Sequence, residues 1–140
     1  YLGDSGSYVI SMIIGYILIK ETQNNLNISP YYIVLLLWYP AFENLFSLIR
    51  RSYKKKNISE ADKLHLHQLI FRYLKKKKIL NEKKVNTSTT FIILILNLPL
   101  FIFANLNYSH TITLVSLIFI YMIIYLFFYF YLVSFFRKSL

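Results

Sequence analysis

Four blocks of apolar residues, at 7–19, 31–49, 91–106 and 112–136, constrain this chain more than anything else in it. Runs of this length without strand-like alternation point to helices, and helices apolar on all sides belong in a bilayer. A hydrocarbon core of ~30 Å needs roughly 20 helical residues. The second and fourth blocks satisfy that length, and the third does once residues 87–90 join it. The first block, residues 7–19, gives only about 20 Å at ~1.5 Å per residue. It completes a span by extending back to Leu2, which places Asp4 roughly one turn inside the membrane boundary. With 56% hydrophobic and 19% aromatic residues, an ordinary soluble domain is excluded. The expected fold is all-α: a polytopic integral membrane protein with four transmembrane helices, at about 2–20, 31–49, 88–106 and 112–136, forming two hairpins.

The hairpins are joined by a basic loop at 50–84. It holds 13 of the 16 Lys and Arg against Glu60, Asp62 and Glu82, a net charge of 13 − 3 = +10, equal to that of the whole chain. Such a bias places the loop in the cytoplasm. The turns at 20–30 and 107–110 carry one Lys between them and are expected on the far side. Arg137 and Lys138 return the C-terminus to the cytoplasm, and Asp4 shares the side of the loop. Lys54, Lys55 and Lys56, with residues 75–78, suit anionic lipid headgroups, at ~1 kcal/mol each. Nothing near them resembles a stacking module or groove reader, so nucleic acid is not an expected partner.

No basic residue precedes the first apolar block, so a cleaved signal peptide is not expected, and without Met at the start the chain reads as the C-terminal part of a longer protein. It has no cysteine, which removes disulfides and thiolate metal sites. The aromatics Tyr31, Tyr32, Trp38 and Tyr39, and those at 119–136, partly fit an interfacial belt; most lie too deep and read as packing or lipid-facing side chains.

Three polar features could carry chemistry. Asp4, in Leu2-Gly3-Asp4-Ser5-Gly6-Ser7, is either an N-cap or a site carboxylate, with Gly3 and Gly6 allowing close approach of a ligand to the backbone. Glu43 lies about six residues, ~9 Å, from the cytoplasmic end of its helix. It shares a polar stripe with Ser47 and Arg50 at i, i+4 and i+7, either as an interhelical hydrogen-bonding group or as part of a site, and Pro40 is expected to kink this helix. His65 and His67 follow Asp62 and Lys63. In extended backbone they point the same way, whereas on a helix they sit about 200° apart. Together they could ligate a metal, donate to a phosphate, or simply be solvated. Ser59 with Asp62 matches a capping box, predicting a helix from near Glu60 with Leu66, Leu69, Ile70, Tyr73 and Leu74 on an apolar face lying on the membrane surface, and Arg72 elsewhere.

Taken in order, Leu2-Gly3-Asp4-Ser5-Gly6-Ser7, Tyr39-Pro40 through Glu43, Arg50-Arg51 and Asp62-Lys63-Leu64-His65-Leu66-His67 resemble the C-terminal part of the polyprenyl-phosphate N-acetylhexosamine-1-phosphate transferases. These are integral membrane enzymes that start cell-envelope glycans. The resemblance covers residues 2 to about 69. It implies transfer of N-acetylhexosamine-1-phosphate from a UDP-sugar to polyprenyl (undecaprenyl) phosphate, with release of UMP, at the inner (plasma) membrane. It assigns Asp4 as catalytic metal ligand for Mg²⁺ or Mn²⁺. Substrate binding falls to His65, His67, Asp62, Lys63, Arg50 and Arg51, and Gly3, Gly6 and Glu43 support the site. Implied partners are UDP-N-acetylhexosamine, polyprenyl phosphate, the lipid bilayer and a second copy of the chain as a homodimer.

Two departures bear on activity. Gln68 stands where the family has a third histidine and cannot become cationic. The family's upstream aspartates are not in the chain, so these 140 residues alone are expected to be inactive. The His-Leu-His form favours the N-acetylglucosamine-type branch over the muramoyl-pentapeptide branch. The competing reading is a non-enzymatic membrane scaffold or transporter fragment whose loop binds anionic lipid.

Overall fold

In the computed structural model, residues 3–53, 64–77 and 82–137 are described, and their regular structure is entirely helical. The helices are α1 (Gly3–Asn24), α2 (Pro30–Leu36), α3 (Trp38–Tyr53), α4 (Leu66–Lys76), α5 (Glu82–Leu106) and α6 (Thr111–Arg137).

α5 and α6 are long and apolar enough to cross a membrane, over Lys84–Leu106 and Thr111–Arg137. The turn between them closes with the Asn107 N–H on the Ala104 carbonyl at 3.2 Å and the His110 N–H on the Asn107 carbonyl at 2.9 Å. The Asn107 side chain also donates to the Phe103 carbonyl at 2.9 Å, satisfying one of the acceptors left open at the end of α5.

Residues 31–49 are not one straight span. α2 and α3 meet at Leu37 with a bend of 76°, and only together are they long and apolar enough to cross, as a third span. Pro40 explains the place: it has no N–H for the carbonyl four residues back, at Leu36, and its ring crowds that carbonyl. Helical bonding resumes at once, with the Ala41 N–H on the Leu37 carbonyl at 3.1 Å. The expected kink is thus present, three residues ahead of the proline.

α1 forms as a single helix of 22 residues but is not apolar enough to count among the spans. Ser5, Ser7 and Ser11 dilute its first half, and Lys20, Glu21, Gln23 and Asn24 its end. Its side chains are exposed on all sides, Tyr8 at 75% and Met12 at 79%.

The two turns expected on one side of the membrane do share one end of the assembly. The Ser29 N–H donates to the Tyr108 carbonyl at 2.9 Å, its hydroxyl pairs with that of Thr111 at 2.9 Å, and the Tyr32 hydroxyl donates to Asn105 at 3.2 Å. Beneath them Leu35, Leu100, Ala104 and Leu114 are fully buried. Toward the other end α3 meets α6 through aromatic rings: Phe42 stacks on Trp38 at 4.6 Å and meets Tyr125 edge-on at 4.9 Å, and Phe46 meets Tyr129 edge-on at 4.7 Å. These deep aromatics are therefore packing groups, while Phe127 and Phe119 face outward.

α4 corrects one expectation. It begins at Leu66, because Leu64 and His65 are not helical; the capping box at 59–62 lies outside the described residues. Its apolar face is the expected one, but Leu66, Leu69, Ile70 and Leu74 are buried in the protein core with Val85 and Leu132 instead of lying open on a membrane surface. The α5–α6 hairpin offers that face a fixed apolar partner, which a fluid headgroup layer does not. Arg72, Lys75, Lys76 and Lys77 remain exposed.

Candidate functional site at the His-Leu-His segment

The two histidines sit where extended chain becomes helix. His65 occupies the N-cap of α4 in extended conformation, φ −68° and ψ 149°, and His67 lies in the first turn. At such a junction neither the all-extended nor the all-helical geometry applies. The rings converge, stacked at 5.6 Å between centroids and 15° between planes.

His65 is a poor cap: its own side chain makes no capping bond. Glu43 of α3 supplies what it lacks. One carboxylate oxygen, Oε1, accepts the backbone N–H of Leu66 at 2.7 Å and lies 3.1 Å from Nδ1 of His65. A carboxylate is favoured there because the first N–H groups of a helix are unpaired and carry its positive dipole end. Because an ionised carboxylate only accepts, pairing with one would place the hydrogen on Nδ1, leaving Nε2 to accept in the neutral ring or donate in the cation. Glu43 is 6% exposed.

Oε2 of Glu43 and the nearby hydroxyls of Tyr39 and Tyr125 are buried with no hydrogen-bond partner among the described residues. Close by, a cavity of about 30 Å³ is lined by Tyr39, Leu66, Asn97, Tyr121 and Tyr125, which is room for one water.

Arg50 holds the other end of the same segment. Its Nη1 donates to the Leu64 carbonyl at 2.7 Å and to the Tyr129 hydroxyl of α6, and Nη2 reaches the Ser47 hydroxyl at 3.5 Å. The guanidinium also lies over the Tyr129 ring at 5.5 Å. The stripe of Glu43, Ser47 and Arg50 is therefore real, but its two charged members do not pair with each other. They clamp Leu64 to Leu66 from either side.

Of the residues singled out in the sequence, the structure brings Glu43, Arg50, His65 and His67 together. Arg51 follows Arg50 on α3, half-buried. Gly3 and Gly6 lie in the first turns of α1. Asp62, Lys63 and the side chain of Asp4 lie outside what is described. Tyr129, 79 residues from Arg50, gave no sequence signal. Among the described residues no group of three or more His, Cys, Asp or Glu could hold a metal ion, and the Glu43 carboxylate already serves Leu66 and His65.

Beside the histidines, His67, Gln68, Phe71 and Arg72 of α4 and Asn86 and Thr89 of α5 line an open recess of about 370 Å³. A second cleft, of about 410 Å³ and almost wholly apolar, lies among Ile70, Leu74, Ile95, Phe128 and Leu132. The chain matches no protein-family model, no curated protein and no solved structure.

Proposed function

We propose that the chain is part of a membrane transferase that moves N-acetylhexosamine-1-phosphate from a UDP-sugar to polyprenyl phosphate. The observation that carries this reading is the clamp. Glu43 and Arg50 fix a short segment so that two imidazoles stack, one with its Nδ1 against the Glu43 carboxylate, on the strongly basic stretch of a chain with membrane-length helices. A rigid, half-exposed pair of imidazoles in a cationic setting is suited to meeting phosphate oxygens.

In this reading a lipid phosphate oxygen bonds to the sugar-bearing phosphorus, the bond from that phosphorus to the UMP oxygen breaks, and UMP leaves. His65, through Nε2, and His67 donate to the diphosphate oxygens, and Arg51 and Lys63 add charge. Arg50 positions the segment from behind. The membrane arrangement that goes with it has four spans in two hairpins, with the His-Leu-His loop at the cytoplasmic face of the plasma membrane. Mg²⁺ or Mn²⁺ at Asp4 belongs to the same proposal, and when bound would offset charge at the phosphorus. The described residues add no further ligand for it, and neither histidine acts through it.

A second reading, a non-enzymatic scaffold or transporter fragment, is favoured by the all-round exposure of α1, which suits a helix partner. The two separate on UMP release by the full-length protein. Asp4→Asn and His65→Ala should each abolish it while membrane insertion is retained; undiminished release from both would remove the site assignment.

A further inference from the structure

We infer that the recess between α4 and α5 binds a phosphate group, with Arg72 as its principal cation and Asn86 as a second donor. Arg72 lies outside the histidine motif, past the end of the resemblance.

Three observations converge. Arg72 makes no ion pair, hydrogen bond or ring contact among the described residues, although it lines a recess with five other side chains. An exposed arginine with an acid in reach ordinarily pairs with it; among the described residues no Asp or Glu lines the recess. The other unspent groups are donors too. Among the described residues the His67 ring has only its stacking contact with His65, and the Asn86 side-chain amide carries no hydrogen bond. Thr89, by contrast, donates its hydroxyl hydrogen to the Val85 carbonyl at 2.8 Å and presents only lone pairs. A guanidinium fork, an imidazole and an amide around about 370 Å³ match the acceptor-rich geometry of a phosphate and the size of a small-ligand site.

The position adds a reason. Asn86 and Thr89 sit at the start of the Lys84–Leu106 span, where the chain leaves the basic stretch for the apolar one. A phosphate can arrive there on a lipid headgroup or on a soluble nucleotide. Arg72 also supplies, one turn along α4, the positive charge that Gln68 cannot. That link to sugar-phosphate transfer rests on the proposed transferase function. The site itself does not, because it is tested by binding alone: binding without turnover by the full-length protein would refute the transferase and leave the site standing.

The test is a titration of the purified protein in phosphatidylcholine nanodiscs with uridine diphosphate in one arm and dioctanoyl phosphatidic acid in the other. Uridine and dioctanoylglycerol are the phosphate-free controls. At least one phosphate probe should bind, and the arm that responds identifies the source. Arg72→Gln should weaken that binding roughly tenfold or more. Arg72→Lys should weaken it less, keeping the charge but losing the fork. Lys84→Gln removes one exposed charge outside the recess and should change binding by less than about twofold. Equal losses in Arg72→Gln and Lys84→Gln, or no binding of either phosphate probe, or equal binding of the phosphate-free controls, would overturn the inference.

Discussion

The Glu43 carboxylate on α3 accepts the backbone N–H of Leu66, the first residue of α4, at 2.7 Å and across 23 residues of chain. That one bond ties the bent α2–α3 arm to the helix carrying the histidines. The same oxygen faces His65, so the histidine is oriented by the group that caps its helix.

Removing that oxygen should therefore loosen the whole segment. Glu43→Ala leaves the Leu66 N–H buried and unpaired and should destabilise the folded protein by about 1–3 kcal/mol. Glu43→Gln keeps an acceptor and should lose less. Thermal unfolding in detergent measures both, and equal stability of Glu43→Ala and wild type would show that the bond contributes nothing.

Arg50 makes a different kind of tie, one cation shared between a carbonyl and a hydroxyl on separate elements. Lysine is a point charge without the planar fork, so Arg50→Lys should not recover the stability lost in Arg50→Ala. A double-mutant cycle with Tyr129→Phe should return a coupling of about 0.5–3 kcal/mol. Strict additivity would mean that the contact with Tyr129 is incidental.

Position within the aromatic set should decide the cost of deletion. Phe42 is buried between Trp38 and Tyr125, and Phe42→Ala should cost about 3–5 kcal/mol. Phe127 is 69% exposed, and Phe127→Ala should stay within about 0.5 kcal/mol. Unfolding midpoints of the two variants side by side provide the check.

The chain has no cysteine, so single introduced cysteines report sidedness cleanly. With the basic stretch in the cytoplasm, Ser52→Cys should react with a membrane-impermeant maleimide only in inside-out vesicles. Ser109→Cys, in the turn that meets Ser29 through its neighbour Tyr108, should react only from the other side. Reaction of both from one side would invert the proposed topology.

What is legible in the chain follows from physics that is local or averaged. Hydropathy blocks give α6 to within a residue at each end and the C-terminal end of α5, because a long apolar run has few other structures; the polar first turns of α5, from Glu82 to residue 87, lie ahead of the expected start at 88. The i, i+4, i+7 spacing gives the stripe of Glu43, Ser47 and Arg50. The spacing cannot say what that stripe faces, since its partners Leu64, Leu66 and Tyr129 are brought in by tertiary packing. The start of α4 is hidden because its N-terminus is capped from another helix instead of by a nearby Ser. The convergence of His65 and His67 is undecidable between strand and helix, and the structure places them on the boundary of the two. Arg72 looks in the sequence like one charge among many; what sets it apart is Asn86 and Thr89, which lie across the recess on a different helix.

The most direct measurement is release of UMP from UDP-N-acetylglucosamine and polyprenyl phosphate by the purified full-length protein, comparing wild type with His65→Ala and Glu43→Ala. Turnover in the wild type, its abolition by His65→Ala and a marked fall with Glu43→Ala are the outcomes expected if the clamp positions the histidines for phosphate chemistry. No UMP from the wild type, or undiminished UMP from His65→Ala, would contradict it.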